Sequence, residues 1–476
     1  MRFAVYAAIL LAILPVVLIR PFFGLCVYYV VSLMQPKLLC WRPEFQDALL
    51  VGVPLMIGAI VIGVRRRQVA VRTDAVSGRV VKTEPRTVAA PLFEFAWPLA
   101  LFAALVLYIA ATRLLAPYPL TDTSYQFRSL VKILIVAILV TGMASDVKRI
   151  RILYAVVALA VAFWAIKGGL KVILLGPHQV YGKSYDNNLF ALTSAMTLPM
   201  VFYFGLSLRQ GRWRNLLILC AALMCLAIIG SRSRAGFVAF VFVLAGMAWT
   251  SRYRLRAMLA VLLVATVALA TSAGEIRERI ESIIDYRQDR SARSRFWTWQ
   301  SARQLLAHSP AIGVGFANFE TANRDLEGGG KAAHNIYLQN LAELGLLGHP
   351  IWLVLILGSL LSMFRYMRRA RGLPPDLRWG YHLSRGLCLG MAAYCIHGMF
   401  HNEEYLELTF AMIALHIALK VAIARELRQR RLIHDIDRPG ASAPQAAATD
   451  SPPAARHPAI AFPVMRPFRR PLPNPV

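Results

Sequence analysis

The chain has 476 residues, is 57% hydrophobic, and has a mean hydropathy of +0.52. Long apolar runs recur from end to end, which excludes a string of soluble domains and points to a polytopic membrane protein. The formal charge of +28 would suggest nucleic acid in a soluble protein. Here the basic residues gather in short loops between apolar runs, as the positive-inside rule requires, so nucleic acid is not an expected partner and membrane lipids are. The six cysteines follow neither a metal-ligand spacing nor a disulfide framework.

The predicted elements are all helices, because only helices or closed barrels satisfy their backbone in lipid and continuous apolar runs mean helices. In chain order they fall near 3–19, 22–40, 46–64, 89–111, 129–145, 152–170, 188–208, 215–230, 235–250, 257–273, 347–364, 381–400 and 408–424. The first lacks a small-residue cleavage site and reads as an uncleaved anchor. Arg20-Pro21 interrupts the block 3–40, which counts as one crossing plus a broken or shallow helix. The fold class is therefore all-α, with about twelve spans and both termini in the cytoplasm. Residues 1–430 form the membrane domain, and 431–476, rich in Pro and Ala, read as a disordered cytoplasmic tail.

The outward loops are then 112–128, 171–187, 231–234, 274–346 and 401–407. The stretch 274–346 is the one long polar segment, with helices expected over 275–284 and 294–308 and a turn at Pro310–Gly315. It ends in His334-Asn335, beside Gly328-Gly329-Gly330, where an amphipathic helix begins and runs into an apolar span. A helix start favours a neutral imidazole, which is what a general base requires, and it also attracts anions. Asn335 and Tyr337 are candidate substrate contacts next to it. Arg232 and Arg234 sit in a tight outer connection, where a cation at membrane depth lines a cavity or meets a ligand. Arg293 and Arg295 open a helix beside Trp297 and Trp299 and can grip a phosphate. Tyr181, Lys183 and Asn187 precede a span and suit sugar hydroxyls or phosphate. His401, Glu403 and Glu404 lack the spacing of a metal site and read as loop residues, so no metal or other cofactor is expected.

The one Asp-x-Asp, Asp435-Ile-Asp437, falls in the cytoplasmic tail, and no glycosidase-type carboxylate pair is evident. One outward base with several arginines fits transfer from a lipid pyrophosphate. The leaving group's charge is neutralised by the arginines, and no general acid is needed.

Three motifs in order carry a resemblance: Ser233-Arg234-Ala235-Gly236; Arg295-x-x-x-Trp299 with Pro310 and Gly313-x-Gly315; and His334-Asn335-x-x-Leu338 with Glu343-x-Gly345-x-x-Gly348. The chain resembles the bacterial O-antigen ligase and polymerase superfamily of membrane glycosyltransferases. The resemblance implies a periplasmic, metal-independent transfer of glycan from undecaprenyl pyrophosphate, to the lipid A core oligosaccharide in the ligases. By motif it matches the essential histidine to His334 and the two essential arginines to Arg234 and Arg295, with Arg232 and Arg293 as neighbouring competitors. Arg20-Pro21-Phe22 and Leu33-Met34-Gln35-Pro36 also look like a ligase subgroup of surface-polysaccharide or O-glycosylation systems. A polymerase or a protein O-oligosaccharyltransferase would use the same donor. A transporter of lipid-linked glycan would instead place charges within many spans.

Overall fold

The computed structural model describes residues 2–40, 46–72, 96–116, 120–144, 146–176, 186–251, 254–255, 258–259, 290–324, 326 and 329–436. The chain divides into two units, 1–429 and 430–476, and the architecture below is that of the first. The described residues are helical, without strands. The protein is an all-α, multi-pass membrane protein.

The helices in chain order are α1 (Arg2–Ile19), α2 (Pro21–Tyr29), α3 (Asp47–Arg72), α4 (Trp97–Arg113), α5 (Leu120–Met143), α6 (Val147–Leu175), α7 (Asn187–Ser207), α8 (Gly211–Gly230) and α9 (Arg234–Trp249). Then come α10 (Arg290–His308), the short α11 (Phe319–Ala322), α12 (Ile336–Arg369), α13 (Arg378–His397) and α14 (Glu407–Ile436). Among the described residues, seven helical stretches are long and apolar enough to cross a membrane, and four shorter apolar ones accompany them. The expected span at 257–273, the expected helix at 275–284 and the tail beyond Ile436 lie outside the described residues.

Many of these helices present bare hydrocarbon outward. Leu174 is 76% exposed and Leu107 70% exposed, with Ile60, Leu219 and Val354 also turned out. Water would penalise such a surface, whereas lipid tails accept it. Polar residues start several helices: Asp146 accepts from Arg149 N–H, Asp186 from Asn188 and Leu189 N–H, and Ser233 from Gly236 N–H. These are the N-caps that give the first turn a partner for its free donors.

α14 is the most enclosed of the long helices and α1 the most peripheral. α7 and α13 make the most extensive packing, at a close approach set by small residues. A Cβ on Gly390 would lie 2.4 Å from the Met196 carbonyl oxygen. The N-terminal block is broken as its sequence suggests. α2 passes into a π-helical turn (Val30–Met34), Gln35 turns left-handed (φ 50°), and a 3-10 turn (Pro36–Cys40) follows. Glu407 anchors this block to the last helix by accepting from Tyr28 Oη at 3.0 Å and Ser32 Oγ at 2.6 Å.

The structure differs from the sequence reading at α12. The amphipathic start and the apolar span are not one continuous rod. Gly345 (φ 64°, ψ −171°) breaks the helix between them. The turn at Pro310–Gly315 docks into that break. Val314 N–H donates to Ala342 O at 3.0 Å and Gly315 N–H to Glu343 O at 2.9 Å. Leu346 and Leu347 N–H donate to Pro310 O and Ala311 O at 2.8 and 3.1 Å. Tyr108 Oη takes care of Leu344 O at 2.8 Å. Backbone groups that a broken helix would leave orphaned are thus paired.

Gly345→Ala should therefore be costly on two counts. Its φ is left-handed, which costs an L-residue roughly 1–2 kcal/mol. Its new Cβ would also sit 2.4 Å from Ala311 O and 2.5 Å from Gly313 N, both backbone atoms. The variant should unfold at a lower temperature than wild type in a detergent thermal-shift assay. An unchanged midpoint would mean that the break is not built as described.

Candidate active site

Four loops and helix ends meet around His334. The residue itself is half-buried and left-handed (φ 50°), in a segment held from both sides. Ala333 O accepts from Trp299 Nε1 at 2.9 Å, and Ala333 N–H donates to Gln339 Oε1 at 3.1 Å. Asn335 caps α12, its Oδ1 accepting from Tyr337 and Leu338 N–H at 3.0 and 3.2 Å. Upstream, Asn323 accepts from Gly330 N–H and donates to Lys331 O, each at 2.6 Å. Non-glycine residues visit this backbone region at a cost, and where the surroundings enforce it a functional constraint is the usual cause.

The spacing Arg295-x-x-x-Trp299 now has a physical meaning. Trp299 is one turn beyond Arg295 on α10 and bonds the residue next to His334. The same helix therefore brings Arg295 within electrostatic range of the imidazole. Asp186, which caps α7, lies within that range too. Burial holds the His334 pKa below the ordinary 6.5 of a histidine; Arg295 lowers it further, Asp186 opposes, and Lys331 adds a smaller push down.

α9 joins through its own first turn. Ser233 Oγ donates to Asn188 Oδ1 at 2.7 Å, and Asn187 Nδ2 donates to Ser231 O at 3.5 Å. Arg232 is left-handed (φ 55°), and both Arg232 and Arg234 are exposed. The N-termini of α7 and α9 are thereby tied together, and Asp186 on the first of them faces His334. Arg232 and Arg234 thus flank a helix start that is tied to the one carrying Asp186.

Of the residues singled out in the sequence, the structure brings His334 and Arg295 together, ties Asn187 to the Arg232–Arg234 turn, and puts Asn335 at the cap. Tyr337 points away from the base, its Oη donating to Cys395 O at 2.9 Å, where it fastens α12 to α13. Arg293 lies on α10 with its side chain outside the described residues, as Tyr181 and Lys183 are entirely.

Two residues took no role in the sequence reading and belong here. Asp186 was readable as a helix cap before an apolar run, but its proximity to His334 is a tertiary fact. His401 looked like an ordinary loop residue, yet it is buried and feels Asp186, His334 and Arg295. Burial pushes its pKa down to about 4. It packs edge-on against His397, with ring centroids 5.4 Å apart. Among the described residues no group of three or more His, Cys, Asp or Glu side chains is placed to hold a metal ion.

Residues 219–353 match the family model described as O-antigen ligase. The chain carries the domain of the O-antigen ligase superfamily. That domain runs from α8 through the break in α12 and contains Arg234, Arg295 and His334. It is the domain of glycosyltransferase-like ligases and polymerases acting on glycans. Residues 87–204 match a family of unknown function, and no curated protein matches the chain.

If His334 is a general base, the acid limb of kcat/KM against pH should fall below pH 6.5, because the ring must be neutral to accept a proton and its pKa is lowered. Arg295→Gln should move that limb to higher pH, since removing a nearby cation makes the imidazolium less unfavourable. Lys331→Gln should move it less. A limb that stays in place in Arg295→Gln would remove His334 as the titrating base.

Proposed function

We propose that this O-antigen ligase domain transfers a glycan from undecaprenyl pyrophosphate to the lipid A core oligosaccharide, at the periplasmic face of the bacterial inner membrane. The observation that carries the reading is the strained His334, held next to Arg295 at the start of α12. An imidazole kept neutral by its surroundings is a base, and a neighbouring guanidinium is an anion ligand.

In the proposed step His334 takes the proton of the acceptor hydroxyl. The hydroxyl oxygen forms a bond to the anomeric carbon, and the bond from that carbon to the pyrophosphate oxygen breaks. The electron pair leaves with the pyrophosphate, whose growing charge Arg234 and Arg295 stabilise. From their sequence positions, Arg232, Arg293 and Lys183 are assigned to the donor's charge, and Tyr181 and Asn187 to its sugar. Asn335 and Tyr337 shape the start of the helix that carries the base. The cations are arginines, so the step requires no metal. A single displacement inverts the anomeric configuration, because no carboxylate serves as a covalent relay. A growing glycan or a protein hydroxyl would enter by the same chemistry.

Purified protein supplied with labelled donor and core lipid A should form the new linkage with inverted configuration by NMR. His334→Ala should insert normally and lose roughly 10²–10⁴-fold in rate. Full turnover by correctly inserted His334→Ala, or a retained configuration, would refute the mechanism.

A further inference from the structure

A cavity of about 310 Å³ is lined in part by residues 402–405, which follow His401 in the chain. Its walls come from the first turns of α5, the segment 316–320, the broken start of α12 and the loop 402–405. Four carboxyl groups line it: Glu320, Glu343, Glu403 and Glu404. Amides and hydroxyls stand among them, including Gln126, Ser129, Gln339 and Asn402, and Tyr125 is 69% exposed at its edge.

The carboxyls are not alike. Glu343 is spent on structure: Oε2 accepts from Ala317 N–H at 2.9 Å, and Oε1 from Phe319 N–H and Gln339 Nε2 at 3.4 Å. Glu404 is only 5% exposed and lines the cavity, and its Oε1 has no hydrogen-bond partner among the described residues. An unpaired buried carboxyl oxygen is costly unless something else pairs with it. Burial pushes Glu403 up to about 7, and pushes Glu404 well above the usual carboxyl range with Glu343 adding to it. At neutral pH the walls therefore offer both donors and acceptors.

Such walls offer no cation to pair with a phosphate and, among the described residues, are not arranged to hold a metal ion. Carboxyls, amides and hydroxyls facing inward, with aromatic rings at Tyr125, Phe316 and Tyr405, suit a ring that carries many hydroxyls. The location is suited as well. His401 lies within electrostatic range of His334 and Arg295, and the next residues, Asn402 and Glu403, line the cavity. The Gln339 side chain that bonds Glu343 also holds Ala333, next to the base.

We infer that this cavity is a subsite for an uncharged, hydroxyl-rich sugar of the acceptor. The inference rests on the proposed transfer reaction, because only that reading makes one bound sugar an acceptor.

Saturation-transfer NMR on the purified full chain tests it with two soluble probes. One is core oligosaccharide released from lipid A by mild acid and stripped of phosphate; the other is glycan released from the donor pyrophosphate. The core probe should receive saturation from wild type and from His334→Ala, and much less from Glu404→Gln or the surface variant Tyr125→Ala. In the transfer assay those two variants should raise the acceptor KM about tenfold with the donor KM unchanged. Loss of the donor-glycan signal instead, or a raised donor KM, would overturn the acceptor assignment. Core-probe signals and KM values equal to wild type in both variants would overturn the subsite. A signal that appears only with calcium chloride would assign the carboxyls to a cation and overturn it too. If His334→Ala binds the core probe yet still transfers at full rate, the reaction mechanism fails while the subsite stands.

Discussion

The site depends on one discontinuity, the break in α12 at Gly345. A helix that entered the membrane without interruption would carry its first turn along the span axis. The break lets the nine residues Ile336–Leu344 take their own direction. Its cost is a set of backbone groups that the helix itself no longer pairs. The Pro310–Gly315 turn supplies the partners strand-fashion, on both sides of the break, and Glu343 extends the join by accepting from Ala317 and Phe319 N–H. Gly313, Gly315 and Gly345 all adopt positive φ. Gly313 and Gly345 also face each other so closely that a Cβ on either would strike the other's segment.

Once this join is made, the rest of the site follows by short links. α10 leads into the docked turn and is fixed by it. Its Trp299 holds Ala333 O, while Gln339, on the redirected turn, holds Ala333 N–H. With Ala333 clamped and Asn335 occupied as the cap, His334 is left in a left-handed conformation with no local freedom to relax. Among the described residues the imidazole is positioned by its neighbours' backbone and not by a hydrogen bond to its own ring. That is a way to keep both ring nitrogens available for proton transfer while the ring stays placed.

Much of this was legible in the sequence, for reasons that can be named. The apolar runs gave the helices because lipid leaves the backbone no other choice. Asp186, Ser233 and Asn335 mark helix starts by their cap chemistry. His334 and Arg295 could be matched by motif, but what holds Arg295 near the base was not visible, since the Trp299 bond spans 34 residues. The break was not legible either. Leu344-Gly345-Leu346 reads as helix with one tolerated glycine, and only the docked turn, 30 residues upstream, makes a left-handed Gly345 stable. The role of Glu343 was hidden for the same reason, as its partners lie at Ala317 and Phe319. His401 and Glu404 looked like an exposed outer loop, whereas the packing buries both. Local composition cannot report a contact between a C-terminal loop and helix starts far earlier in the chain.

The arrangement also sorts charge along the path of the proposed reaction. Arg295 acts on His334, while Glu403 and Glu404 line the cavity that follows His401 in the chain. In the proposed reaction a lipid pyrophosphate would be drawn to the arginines and a phosphate-free sugar to the carboxyl-lined cavity. Asp186 acts on both groups, opposing the arginine's effect on His334 and adding to the upward push of burial on Glu403. If His334 is the base, Asp186 would partly offset Arg295 once the imidazole takes the proton, while burial and Arg295 keep it neutral at rest. The charges proposed to orient the substrates would then also tune the base.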